Sequence, residues 1–211
     1  MNRPRVLLAD DHRVVSEGLK YLLADDFELV GIVEDGRALV AEARKVRPDV
    51  IVADISMPHL NGIEAMIQLK KDNDDIKFVF LTMHSEPAYA RRALEAGASG
   101  FVVKHSAPAE LVMAVHAALK GQTFITPALA GEVLRQAHEP RVADSADVLT
   151  PRQREILQFL AEGHSAKEIA ATLSISPRTV EFHKYQMMET LGLHTNAELV
   201  HFAIKHGIVT I

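Results

Sequence analysis

Three aspartates, a threonine and a lysine stand at the ends of apolar runs in the first half of the chain. Asp10 and Asp11 follow RVLLA, Asp54 ends DVIVAD, Thr82 ends IKFVFLT and Lys104 ends SGFVVK. One such residue says little, because Asp is a common turn and cap residue. The full set at successive equivalent positions is a chemical pattern. Converging carboxylates repel one another unless a cation sits among them. An all-oxygen donor set suits Mg²⁺, which keeps waters and works with phosphate. Asp10, Asp11 and Asp54 are therefore candidate metal ligands. Asp54 is also a candidate nucleophile, since a carboxylate can accept a phosphoryl group as an acyl phosphate. In-line transfer needs mainly positioning and charge neutralisation. The Lys104 ammonium and the Thr82 hydroxyl would supply a charge and a hydrogen bond to phosphoryl oxygens. Asp11 keeps a second reading, as a cap on the helix that follows.

The elements that position these residues are legible in the apolar pattern. Short runs at 5–10, 28–33, 49–54, 76–82 and 99–104 are rich in Val, Ile, Leu and Phe and nearly continuous. That is the mark of strands covered on both faces. Helical spacing fills the intervals, as in Val14, Val15, Gly18, Leu19 and Leu22. Five strands alternating with five helices predict a doubly wound parallel sheet. In such a sheet, ligand chemistry gathers at the C-terminal strand ends, where the polar set stands.

Residues 121–147 read as a linker carrying a short helix, with Thr126 as its N-cap and Pro127 in its first position. The stretch HEPRVADSADV has no apolar period and reads as the interdomain connection. Residues 148–211 are helical throughout. Thr150-Pro151-Arg152-Gln153 and Ser165-Ala166-Lys167-Glu168 are capping-box signatures, and Ser176-Pro177 opens a longer helix to about Leu191. A fourth helix runs from Asn196 to Lys205. A short helix, a tight turn and a longer helix make a helix-turn-helix.

Composition bounds the function classes. The 211 residues suffice for two ordinary domains, and a net charge of -5 excludes a uniformly basic nucleic-acid coat. The absence of cysteine excludes disulfides and thiolate metal sites and suits a reducing compartment. The apolar stretch after the basic start is only about four residues long, too short for a signal peptide. No run approaches the roughly 18 apolar residues of a membrane span. The expectation is a cytoplasmic protein without membrane contact.

The set Asp10/Asp11, Asp54, Thr82 and Lys104, with the loop MPHLNG at 57–62, resembles the receiver domain of bacterial two-component response regulators. The resemblance covers residues 5 to about 120 and implies a flavodoxin-like fold. It implies that a sensor histidine kinase phosphorylates Asp54 with Mg²⁺ as cofactor, and that the backbone carbonyl of Ser56 is a further metal ligand. It assigns the switch to Thr82, which moves toward the phosphoryl group, and to Phe101, an aromatic that turns inward. Ser56 and His84 resemble variable positions that tune the lifetime of the phosphoryl group. The other ten histidines show no metal-binding spacing and read as surface or packing residues.

The C-terminal block resembles the four-helix LuxR-type DNA-binding domain through Glu155, Gly163, Lys167-Glu168-Ile169-Ala170, Ser176, Thr179-Val180 and His183. Together the two parts resemble the NarL/FixJ class of response regulators. The resemblance implies a helix from Pro177 entering the major groove. Arg178, Thr179, Glu181, Phe182 and Lys184 would face DNA, with Ser176 and His183 beside them. Val180 would mostly pack and touch a thymine methyl, while Glu181 can accept from a cytosine amino group. Lys167, Ser165 and the Thr179 hydroxyl are candidate phosphate contacts. Promoter DNA, RNA polymerase and a second copy of the chain, joined on phosphorylation, are the implied partners. The chain is not expected to be an enzyme beyond its own phosphorylation and dephosphorylation.

Residues 148–211 hold six Arg/Lys and six Asp/Glu, a neutral balance where a DNA-binding domain is usually basic. An output domain that binds protein instead of DNA is the alternative reading. Aspartate-nucleophile hydrolases share several of these residues. They usually carry a second acid two residues past the nucleophile, where this chain has Ser56.

Overall fold

A computed structural model describes residues 3–106, 108–138 and 148–209 of the chain. The chain divides into two compact units, Met1–Pro140 and Arg141–Ile211. The expected connection falls largely at 139–147, outside the described residues.

The first unit is a parallel sheet wound on both faces. Its strands are β1 (Arg5–Ala9), β2 (Glu28–Val33), β3 (Val50–Ala53), β4 (Lys77–Thr82), β5 (Gly100–Val103) and β6 (Phe124–Ile125), in the order β2-β1-β3-β4-β5-β6. The helices are α1 (Arg13–Leu23), α2 (Gly36–Val46), α3 (Gly62–Asp72), α4 (Pro87–Glu95), α5 (Pro108–Leu119) and α6 (Pro127–His138). Side chains alternate across the strands, as the period of two requires. Leu7, Ile51, Phe78, Phe80, Phe101 and Val103 share a core with residues of α2, α3, α4 and α6. Val6, Leu8, Val50, Val52, Val79, Leu81 and Val102 share the other core with α1 and α5.

The sheet has six strands where the sequence pattern predicted five. Phe124–Ile125 pairs with Gly100–Phe101 in parallel. A two-residue run is too short to show a strand period. The helix α6 begins at Pro127 as expected. Thr126 directs its hydroxyl elsewhere: it accepts from the Val103 N–H at 3.1 Å and donates to Glu110 at 2.9 Å. The α6 residues Leu129 and Val133 are buried in the core beside α4.

Parallel register brings the strand ends level. Ala9 pairs with Ala53, Ala53 with Phe80, and Thr82 with Val103. The ladder continues one step further, with Asp54 N–H on the Ala9 carbonyl at 2.8 Å and Lys104 N–H on the Thr82 carbonyl at 2.7 Å. The backbones of Asp54 and Lys104 are therefore fixed by sheet hydrogen bonds, not by loops.

The loop after Asp54 returns tightly to start α3. Asn61 caps that helix by accepting from the Glu64 N–H at 3.0 Å, and Gly62 N–H donates to the Ile55 carbonyl at 2.8 Å. A Cβ on Gly62 would lie 2.2 Å from the Asp54 carbonyl oxygen, closer than atoms can approach. Asp11 does not occupy the cap of α1. His12 holds that position, and its N–H donates to the Asp10 carboxylate at 2.9 Å.

The second unit is four helices: α7 (Pro151–Ala161), α8 (Ala166–Leu173), α9 (Pro177–Leu191) and α10 (Asn196–Lys205). Both expected capping boxes form, at Thr150 and Ser165, and Thr195 with Glu198 makes a third. Ser176 accepts from the Thr179 N–H to cap α9. Ile156, Phe159, Ile169, Val180, Met187, Leu199 and Phe202 share one core. The α8 and α9 helices, joined by a three-residue turn, form the predicted helix-turn-helix. No helix among the described residues is long and apolar enough to cross a membrane.

Gly62→Ala is expected to lower stability by about 1–3 kcal/mol, the usual range for forcing a methyl group into packed space. A fall in the urea midpoint at unchanged slope reads it out. Parental stability would mean that the Asp54 loop yields freely.

Candidate functional site

The polar strand ends meet in one pocket. Lys104 Nζ lies 2.6 Å from Asp10 Oδ2 and 2.6 Å from Asp54 Oδ2. Asp10 is 1% exposed, Asp54 3% and Thr82 0%, so these groups have little water to screen them. Asp11 is at the rim, with its side chain one-third exposed.

Electrostatics follow from that burial. Burial pushes the Asp54 carboxyl above its ordinary range, and Asp10 pushes it further, while Lys104 and the Ser56 N–H pull it part of the way back. Burial also works against the Lys104 charge, but Asp54 and Asp10 together hold its ammonium above its ordinary value. The two shifts have one cause. A single cation serves two carboxylates, so the cation is oversupplied with partners and Asp54 is undersupplied.

Asp10, Asp11, His12 and Asp54 each offer a ligand atom, and all four lie within 4.8 Å of one another. Hard carboxylate oxygens short of cationic charge fit a divalent ion. The sequence spacing leaves His12 among the surface or packing histidines, and the structure places it in this cluster. Its Nδ1 stands 2.8 Å from Asp11 and 3.2 Å from Asp10. Its adjacency to the pair in LADDH was the available signal.

A second constellation adjoins Asp54, whose carboxylate accepts from the Ser56 N–H at 3.3 Å. Ser56 Oγ and His84 Nε2 are hydrogen bonded at 2.7 Å across 28 residues. The His84 ring stacks on Tyr89 with centroids 4.0 Å apart, and the backbone N–H of His84 donates to the Thr82 hydroxyl oxygen at 3.3 Å. Burial pushes the His84 imidazole below its ordinary value, against the pull of Glu86 and Asp54. Phe101 is fully buried in the core and paired in register with Phe80.

On the second unit, the structure sorts the residues expected at DNA. Arg178, Ser176, Lys167 and Ser165 are exposed, and Phe182 is 62% exposed. Val180 is 0% exposed and packs in the core, so it is not available to a thymine methyl. His183 is half-buried. The Thr179 hydroxyl is 2.8 Å from that of Ser176. Lys184 is drawn in, its side chain 14% exposed and 3.0 Å from Glu181. Tyr185, 63% exposed, was missed. Its spacing of three from Phe182 was the signal.

Residues 6–116 match the family model described as the response regulator receiver domain, and residues 147–203 match that of the bacterial regulatory proteins of the luxR family. The chain belongs to the response regulators. It is 34% identical over 208 residues to response regulator GacA of Pseudomonas viridiflava, covering 97% of each chain. It is 34% identical to response regulator UvrY of Escherichia coli over 206 residues, covering 96% of this chain and 94% of the other. RcsB of Salmonella enterica serovar Typhimurium, solved bound to a promoter with the phosphomimetic BeF3-, is similar at TM-score 0.62 and 29% identity, over 95% of this chain and 98% of that one. This response regulator therefore joins a receiver domain to a LuxR-type output domain, the NarL/FixJ arrangement expected from its motifs.

The raised Asp54 value has a stability consequence. A group raised in the folded state costs nothing below its unfolded value, about 3.9 for Asp, and its full penalty above its folded value. Asp54→Asn removes that penalty. The metal-free variant is expected to be more stable than the parent at pH 7 in chelator, with the difference shrinking as pH falls through the raised value. Denaturant titrations at several pH values measure this; a less stable variant at pH 7 would show that the Lys104 pairing outweighs burial.

Proposed function

We propose that this response regulator takes a phosphoryl group onto Asp54 from the phosphohistidine of a sensor kinase, and that the modified protein binds promoter DNA through α9. The observation that carries the reading is the Lys104 ammonium held 2.6 Å from both Asp10 and Asp54 beside buried Thr82. In the transfer, an Asp54 oxygen attacks phosphorus, the P–N bond breaks, and the imidazole nitrogen leaves with the electron pair. Lys104 turns from the carboxylates to the phosphoryl oxygens, and the Thr82 hydroxyl donates to one of them. Asp10, Asp11, Asp54 and the Ser56 carbonyl would hold Mg²⁺, which supplies charge neutralisation to the transferring group. Water later attacks phosphorus and restores Asp54, so the chemistry is self-directed. Ser56 and His84 adjoin Asp54, and their bond limits how water reaches the acyl phosphate.

Thr82 and Phe101 are the proposed switch. Drawing the Thr82 hydroxyl toward the phosphoryl group would withdraw it from the His84 backbone N–H. We assign the first unit to phosphoryl capture, with β6 and α6, expected within a linker at 121–147, packed into its sheet and core, and residues 148–211 to DNA. A neutral output domain gains little from phosphates, so two copies on two half-sites would raise affinity through effective concentration. The protein would act in the cytoplasm, and RNA polymerase is a natural partner at a promoter.

Acetyl phosphate with Mg²⁺ is expected to phosphorylate the parent, to leave Asp54→Asn unlabelled, and to label the double variant Asp10→Ala, Asp11→Ala at least tenfold more slowly. Intact mass and phosphate-affinity gels read this out. Labelling of Asp54→Asn at the parental rate would refute the site. In mobility shifts, phosphorylated parent is expected to bind promoter DNA more tightly than Asp54→Asn, and more weakly as salt rises.

A further inference from the structure

The face of α9 turned away from the core carries an aromatic pair. Val180 and Met187 are 0% exposed and anchor the inner face. At about 100° per residue, Arg178, Phe182, Tyr185 and Glu189 fall on one stripe on the opposite side. Phe182 and Tyr185 are 62% and 63% exposed. Val148 is the only other large apolar side chain exposed among the described residues of this unit. The two rings are set among exposed polar neighbours, Arg178, Gln186, Glu189 and Thr190. Of the two strong cations on the helix, Lys184 is tied to Glu181, which leaves Arg178 at the first turn.

We propose that Phe182 and Tyr185 read DNA by apolar contact with thymine 5-methyl groups in the major groove. The inference rests on α9 being the helix that enters the groove. A neutral domain draws little affinity from phosphates, so base contacts must carry a larger share of binding. Thymine is the base that presents an apolar group in the major groove, and it does so among polar base edges. A single pair of rings bounded by polar side chains matches that surface, whereas a protein-docking patch is a larger contiguous apolar cluster. The rings are also steadied on the helix. Lys184 Nζ lies 5.3 Å from the Tyr185 ring centre, and His183 meets Phe182 edge-on at 5.8 Å. Glu181, 41% exposed beside Phe182, adds a polar reader at the rim of the same stripe.

The test uses the full chain, phosphorylated with acetyl phosphate and Mg²⁺, and duplexes enriched from a random-sequence library. In an enriched duplex each thymine is replaced in turn by uracil, which removes only the methyl group. Affinity is expected to fall about fourfold per contacted methyl, the factor for one buried methyl-sized group. At those positions Phe182→Ala or Tyr185→Ala is expected to bind thymine and uracil duplexes equally, while Phe182→Leu keeps the discrimination. Circular dichroism checks that each variant remains helical. Enriched duplexes indifferent to every methyl, or discrimination that survives both alanine variants, would overturn the inference and leave the rings to a protein partner. If the parent enriches no sequence, the DNA-binding reading itself fails, and this inference with it.

Discussion

A single ammonium lies 2.6 Å from two buried carboxylates, and the first unit is arranged to keep it there. Burying charges is costly unless they are fully paired. Here two negative charges share one positive charge, with Asp11 adding a third carboxylate at the rim. The pocket is left short of cation, which is a liability for stability and an asset for binding a divalent ion and a phosphoryl group. Parallel register sustains the arrangement. Asp10 and Asp54 continue the sheet hydrogen bonds beyond the strands, with their N–H groups on the Val33 and Ala9 carbonyls, so the two carboxylates cannot drift apart to relieve their repulsion. Gly62 supports the same constraint from behind, by letting α3 start against the Asp54 carbonyl.

Much of this was legible in the sequence because parallel strands end level. A polar residue after each apolar run converts directly into a shared pocket, and Asp10, Asp54, Thr82 and Lys104 meet as the pattern required. The sixth strand was not legible, since Phe124–Ile125 has no measurable period and its pairing depends on β5. The bond between Ser56 and His84 joins loops 28 residues apart, and no local rule reports such a meeting. Spacing leaves His12 as one of many histidines, because isolated histidines carry little information. In the helix-turn-helix, residue type identified the helix but not the direction of each side chain. Lys184 looked like a DNA contact by charge and is turned inward by Glu181. Tyr185 looked unremarkable and stands outward.

The two units illustrate opposite uses of charge. The receiver concentrates it in a largely buried pocket, where each group is strongly felt. The output unit spreads equal numbers of cations and anions and uses several of the anions for structure. Glu168 and Glu198 close capping boxes on α8 and α10, and Glu155 lies 2.6 Å from Arg152. Those acids stabilise the small domain at the expense of its attraction for phosphate. The helix α9 itself carries only Arg178 and Lys184 as strong cations, and Lys184 lies 3.0 Å from Glu181.

The central claim is that Lys104 and a divalent cation compete for the same carboxylates. Calorimetric titration of Mg²⁺ into the parent and into Lys104→Met tests it directly at pH 7.5. If the ammonium already satisfies part of the charge, its removal should leave a more negative pocket, and the variant should bind Mg²⁺ more tightly than the parent. Equal or weaker binding by Lys104→Met would contradict the account.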